Sequence, residues 1–372
     1  MRLRIAQVAP LYERVPPALY GGTERIVHFL TEELVGQGHE VTLFASGDSE
    51  TTATLVSPCQ LSLRLDPSAI DPIAPHFRLL EQVFERLDDF DIVHFHIDYL
   101  HFPLSKRHRF AHLTTLHGRL DMPELTSLYH VYRDEPVVSI SDNQRRPVPH
   151  ANWQGTVHHG LPPALLGVNT KPEGYLAFIG RISPEKRVDR AIEIARRAGL
   201  PLKVAAKVDR ADRDYFDREI KHLLRQPHVE FVGEIGEAEK SAFLGNARAL
   251  LFPIDWEEPF GLVMIEAMAC GTPVVAFRRG SVPEIVEDGV TGFVVDTVEE
   301  AIEAVRRIPA LSRTECRAGF DRRYTASRMA LDYVTIYRRL LKGCETDDTK
   351  GVARRTMKVV HNGALLPAAS GQ

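Results

Sequence analysis

Cysteine is scarce: Cys59, Cys270, Cys316 and Cys344 are the only four in 372 residues. They lie too far apart for a metal knuckle and are too few for a disulfide-built scaffold, so a hydrophobic core must hold the chain, and a reducing cytoplasm is the expected location. Long apolar runs are missing too. The opening MRLRIAQVAP has too short an apolar run for a signal peptide, and no stretch approaches the roughly 18 apolar residues of a membrane span. Stable membrane insertion is therefore not expected. Charge of one sign is not in excess, since 46 Lys and Arg against 50 Asp and Glu leave a net −4. That balance gives no global attraction to nucleic acid or to an anionic membrane.

What is present is the composition of a globular protein, 44% hydrophobic and 26% charged. The length exceeds one ordinary core and predicts two domains. Short apolar segments at residues 3–9, 41–45, 92–95, 113–116 and 137–140 read as strands, with helical stretches such as 77–87 between them. A second series begins at 175–179 and continues at 202–206, 229–232, 249–252 and 274–277. Alternation of this kind predicts parallel sheets covered on both faces, with ligands at the carboxyl ends of the strands. Residues 161–174, rich in Pro and Gly, separate the two series as a linker. The domains are expected at 1–165 and 170–324, with an amphipathic helix over 325–342 and a disordered tail over 343–372.

Several residues at the predicted strand ends carry chemistry. Gly21 and Gly22 follow the first strand and lead into a helix expected to be capped by Thr23; on spacing alone this is a tight turn or a phosphate-approach loop, and it is not a dinucleotide fingerprint. His117 and Asp142 each close a strand, where a His is a structural hydrogen-bonder or a ligand group. His94, His96 and Asp98 invite a metal reading, but no Cys or second His pair completes a tetrahedral set. HFHIDYLHFP reads instead as a cleft lining with Tyr99 and Phe102 as flat apolar surfaces, or as packing beneath the next helix. Arg181 ends a strand and Lys186 lies in GRISPEKR, where Ser183 is expected to cap and Pro184 to begin a helix. The pair is either two surface cations or a diphosphate clamp. Asp212 and Asp214 read as the solvated first turn of a helix, not as a metal pair.

The richest stretch is FPIDWEEPFGLVMIEAMACGTPVVAFRRGSVPEIVEDGVTGFVVD, residues 252–296. Pro259 suits a first helical turn, and the residues from Gly261 to Met268 are apolar almost all round, which predicts a buried helix. One carboxylate, Glu266, lies inside it, and Glu258 stands at its entrance. A buried Glu needs partners: a neighbouring Arg or backbone group satisfies it, or a ligand hydroxyl does. The free N–H groups of Phe260, Gly261 and Leu262 offer an anion site.

Glu258-x7-Glu266 followed by AMACGTPVVA, GSVPEIV and DGVTGFVV resembles the donor-sugar signature of the retaining glycosyltransferases of family 4, over about forty positions. The likeness extends over about residues 1–342, and the opening APLYERVPPALYGGTERIVHFL is similar to the small soluble bacterial branch that includes tetrahydrobiopterin glucosyltransferases and antibiotic-tailoring enzymes.

The resemblance implies the GT-B architecture, two Rossmann-like domains facing across a cleft, with the last helix crossing back onto the first. It implies that His117, Glu258, Arg181 and Lys186 are the catalytic groups. Arg181, Lys186 and the Gly261 helix terminus would hold a diphosphate, Glu266 the ribose, and Glu258 with Phe260, Gly261 and Leu262 the sugar. Gly233, Glu234 and Ile235 would hold the base, Gly21 and Gly22 would lie near the diphosphate, and Tyr99, Phe102, His117 and Asp142 would face the acceptor. The implied reaction is metal-independent and retaining. A nucleotide diphosphate sugar, UDP-glucose favoured, is co-substrate and no further cofactor is expected; the acceptor would be a small molecule, a glycan or a lipid-linked hydroxyl. A nucleotide-sugar 2-epimerase of the same fold and a non-catalytic nucleotide-sugar-binding protein are the other two readings.

Overall fold

The computed structural model describes residues 2–18 and 21–361, with side chains described as far as Gly343. Seven short strands build the first sheet: β1 (Arg4–Val8), β2 (Glu40–Phe44), β3 (Thr54–Val56), β4 (Ile92–Phe95), β5 (His112–Thr115), β6 (Pro136–Ser139) and β7 (Asn152–Thr156). Their order is β3-β2-β1-β4-β5-β6-β7. Six more build the second: β8 (Tyr175–Arg181), β9 (Leu202–Lys207), β10 (Val229–Gly233), β11 (Ala247–Phe252), β12 (Val274–Phe277) and β13 (Gly292–Val295), ordered β10-β9-β8-β11-β12-β13. Neighbouring strands pair in parallel in both sheets. Each sheet therefore reverses its strand order beside its first strand, the place where α/β proteins open a ligand crevice.

Both faces of each sheet are covered, which is why the strands read as continuous apolar runs. The helices that matter for the site are α1 (Gly22–Gly36), α2 (Ile73–Phe84), α3 (Val188–Ala198), α4 (Glu237–Gly245), α5 (Leu262–Ala269), α6 (Val282–Ile285) and α7 (Ala326–His361). Helix α7 leaves the second domain and packs against α1 of the first, burying Met329, Tyr333 and Tyr337. Of the tail expected to be disordered over 343–372, residues 343–361 instead continue α7, and 362–372 lie outside the described residues.

Local differences from the sequence reading have plain causes. β3, β7 and β13 were not expected: β3 is three residues long, β7 (NWQGT) carries no apolar alternation, and β13 lies within the loop-like DGVTGFVVD. Thr23 is not a cap, because α1 starts one residue earlier behind Gly21. Ser183 and Pro184 do not begin a helix. Residues 183–186 form a turn closed by Lys186 N–H donating to the Ser183 carbonyl at 3.1 Å, and α3 begins only after Arg187, whose φ is 54°. Pro259 stands before α5, whose cap is Gly261 at φ 79°. A side chain there would be strained and would bring a Cβ to 2.7 Å from Met264 Cε.

Candidate functional site

The carboxyl ends of β1, β4 and β5 in one sheet and of β8 and β11 in the other face a shared cleft of about 1080 Å³. Gly21, Gly22 and His117 line it from the first domain. Arg181, Lys186, Glu234, Ile235, Glu258, Phe260, Gly261, Leu262 and Glu266 line it from the second, so residues up to 245 positions apart in sequence meet around one space.

Strand β8 carries Arg181 to the rim, where its Nη2 donates to Glu185 at 2.5 Å and its Nε lies 3.3 Å from Asp212. Asp212 is thus a partner of a cleft cation, more than the solvated helix start it resembled in sequence. The turn after β8 places Lys186 against Glu258 Oε2, and the same oxygen accepts from the Trp256 indole N–H at 3.1 Å. Trp256 also offers its ring face to the Lys186 ammonium, 4.9 Å from the centroid. Gly280, at φ 55°, lets the chain press on the Glu258 backbone: a Cβ there would stand 2.3 Å from Glu258 N and O. The loop after β12 therefore fixes the carboxylate at the mouth of α5.

Glu266 is 2% exposed on α5. Its Oε1 accepts from Arg25 Nη1 at 2.5 Å and from Lys240 Nζ at 3.0 Å. Burial alone would push this carboxyl up, but Lys240 and Arg25 together hold it down at about 2. Arg25 comes from α1, in the first domain, and its Nη2 also lies 2.8 Å from Glu237. A charged staple thus crosses the cleft from one domain to the other.

A second carboxylate makes another crossing. Glu284 on α6 accepts from the backbone N–H groups of Asp142 and Asn143, both at 2.7 Å.

On the first-domain side, His117 is half-buried, and burial pushes its pKa down to about 3, which leaves the ring neutral. It stacks on His159, 5.3 Å between centroids, and His159 meets Phe260 at 4.8 Å. Glu24, one turn into α1, is 6% exposed on the cleft wall; burial raises its pKa to about 7, with the nearby charge of Glu13 adding and Arg64 opposing.

Three sequence-based assignments are corrected. Phe102 is fully buried and packs on Tyr129 and Tyr132, so it belongs to the core and not to the acceptor side. Asp142 does not line the cleft; its side chain pairs with Thr156 and its backbone with Glu284 at the domain seam. Gly233 ends the edge strand β10 and is not among the residues lining the cleft, which its neighbours Glu234 and Ile235 reach. Tyr99 does line the cleft, 39% exposed. His94 and His96, weighed as metal ligands in sequence, are hydrogen-bonded to Tyr337, Thr115, Gln7 and His117. Among the described residues no group of three or more His, Cys, Asp or Glu side chains is arranged to hold a metal ion.

Arg25, Lys240 and Trp256 were missed. Trp256 stood two residues from Glu258 and was legible as an aromatic neighbour, whereas Arg25 and Lys240 carried no signal because their partner is distant in sequence.

Comparisons with known proteins bear on the family and the fold. The family model for glycosyl transferases group 1 matches residues 167–321, and that for Glycosyltransferase Family 4 matches residues 20–147. The phosphatidyl-myo-inositol mannosyltransferase of Mycolicibacterium smegmatis is 25% identical over 382 residues, covering 94% of this chain and 95% of that protein. AviGT4, a glycosyltransferase involved in avilamycin A biosynthesis, superposes with a TM-score of 0.69 at 26% identity, over 92% of this chain and 98% of its own. Anabaena HepE, in complex with UDP and glucose, shares the fold with a TM-score of 0.69 at 16% identity, over 90% and 99% of the two chains. With both halves matched and the two sheets facing across one cleft, the chain belongs to the family 4-like glycosyltransferases of the GT-B fold.

Proposed function

We propose that the enzyme moves a hexose, glucose favoured, from a nucleotide diphosphate sugar, UDP favoured, to an acceptor hydroxyl with retention of anomeric configuration and without a metal ion. The observation that carries this reading is the convergence of Arg181, Lys186, Glu258, Glu266 and the α5 N-terminus on one cleft opposite Gly21, Gly22 and His117.

The bond that breaks joins the anomeric carbon to the diphosphate, and negative charge grows on the leaving oxygen. Arg181, Lys186 and the free N–H groups at the start of α5 sit where preorganised positive charge would catch it. Lys186 exchanges Glu258 for phosphate, which leaves Glu258 to accept from sugar hydroxyls. Glu266 takes the ribose hydroxyls in place of part of its contact with Arg25 and Lys240. The acceptor attacks from the side the phosphate leaves, and its proton passes to the departing phosphate oxygen, so no side chain is asked to form a covalent intermediate.

The test is a thermal-shift panel of UDP-, GDP- and ADP-sugars in metal-chelated buffer, repeated on Glu266→Ala and Lys186→Ala. One nucleotide class is expected to raise the melting temperature of the parent and not of the variants. Equal responses in parent and variants, or no response to any sugar nucleotide, would overturn the donor site. A transferred sugar with inverted configuration would overturn the retaining mechanism, and an epimerised free donor would move the reading to the 2-epimerase class.

A further inference from the structure

Behind His117 runs a chain of buried polar groups that reaches α7. His117 Nε2 lies 2.9 Å from His96 Nδ1, and His96 Nε2 lies 2.8 Å from Gln7 Oε1. Gln7 Nε2 donates to the Tyr337 hydroxyl at 3.2 Å. That hydroxyl is 2.7 Å from His94 Nδ1, and His94 Nε2 is 2.8 Å from Thr115 Oγ1, itself 2.8 Å from the Tyr333 hydroxyl. Gln7, His94 and both tyrosines are fully buried, and His96 almost so.

Every member of this chain except one can act as donor or acceptor by moving a proton. The exception is Gln7, whose amide has a fixed acceptor end and a fixed donor end. With its oxygen toward His96, the neutral His96 ring must carry its proton on Nε2 and accept at Nδ1. His117 must then carry its proton on Nε2, and its Nδ1 is left as a bare acceptor. That Nδ1 is shielded from solvent and has no protein partner, so the acceptor stays unsatisfied until a donor reaches it. Burial holds His94, His96 and His117 in their neutral forms, so the order of protons along the chain is well defined.

We propose that Gln7 is a positioning residue for the cleft: through His96 it fixes the tautomer of His117, so that His117 presents an acceptor nitrogen to a substrate hydroxyl. Tyr337 accepts from the Gln7 amide N–H at 3.2 Å, which ties the chain to the seating of α7 on the first domain. The part that concerns substrate rests on the donor-site reading given above.

The tautomers can be read directly, from two-bond proton–nitrogen NMR spectra of the ring-15N-histidine-labelled full chain, with single histidine substitutions assigning the signals. His96 and His117 are expected as Nε2–H forms in the parent. Gln7→Glu keeps an acceptor facing His96, so His96 should keep its Nε2 proton. Gln7→Met removes the acceptor, and the Nδ1–H form of His117 should appear. UDP-glucose affinity should then fall roughly fivefold in Gln7→Met, the cost of one neutral hydrogen bond, with UDP affinity unchanged. A His117 Nδ1–H signal in the parent overturns the proposal even if neither variant folds, and so does a Gln7→Met spectrum identical to that of the parent. Absence of any UDP-glucose binding would count against the donor-site reading, while the spectra would still decide the role of Gln7.

Discussion

Replacing Glu266 by Gln removes the carboxylate that Arg25 and Lys240 share, while leaving the shape of the side chain. The depression of its pKa from the ordinary 4.5 to about 2 corresponds to about 3 kcal/mol of stability at neutral pH. An independent figure comes from the partner left behind. The Arg25 side chain is 8% exposed, and stripping one member from a buried pair costs about 3–5 kcal/mol. Glu237, 2.8 Å from Arg25, remains as a counter-charge, so the loss should fall near the lower end, about 3 kcal/mol.

Urea unfolding at pH 7, followed by far-ultraviolet ellipticity, measures it. The sign of the pH dependence follows from the depressed pKa: the stabilisation is present above 4.5 and is lost as the pH falls toward 2, so the gap between parent and variant should narrow below pH 4.5. The double variant Arg25→Met/Glu266→Gln should cost less than the two singles added together, because they share one interaction. A Glu266→Gln variant within about 1 kcal/mol of the parent at pH 7 would refute the reasoning, because two desolvated cations would then be tolerated without their carboxylate.

Glu24 should behave in the opposite sense. Its folded pKa of about 7 lies above the ordinary 4.5, so the folded state holds a proton that the unfolded state gives up, and stability falls as pH rises from 4.5 to 7. Glu24→Gln is expected to be more stable than the parent by about 1–3 kcal/mol at pH 8 and to match it at pH 4, checked by denaturation at both values. Gly280→Ala should cost about 3 kcal/mol or more and loosen the Lys186–Glu258 pair, since it combines a positive φ with a Cβ 2.3 Å from the Glu258 backbone. Gly36→Ala, at a helical position with open space around it, should instead stabilise by up to about 1 kcal/mol in the same melting experiment.

Strand positions were legible wherever a run of Val, Ile, Leu or Phe is buried on both faces: β4 and β12 fall on the expected residues, and β1, β2, β5 and β6 shift by about one. Helix starts were less legible. Ser183-Pro184 has the composition of a helix start, yet the chain spends those residues on the turn that brings Lys186 to the cleft. Phe102 shows the limit of reading one side chain in an element of a single turn, the helix Phe102–Ser105. Without a period of 2 or 3.6 to say which way it points, Phe102 was equally compatible with a cleft wall and with the core, and packing on Tyr129 put it in the core.

The sequence by itself determined the α/β alternation, the division into two sheets and the run of glycines and carboxylates at 258–296 that bears the family likeness, because each is written in local pattern. Only the tertiary structure decided how Glu266 is satisfied, since Arg25 lies 241 positions away, and which end of the Gln7 amide faces His96. It also decided that Glu284 of the motif serves the seam between domains. Those contacts join residues that share no period and no neighbourhood in the chain. They exist only once two separately wound sheets present their carboxyl ends to the same space.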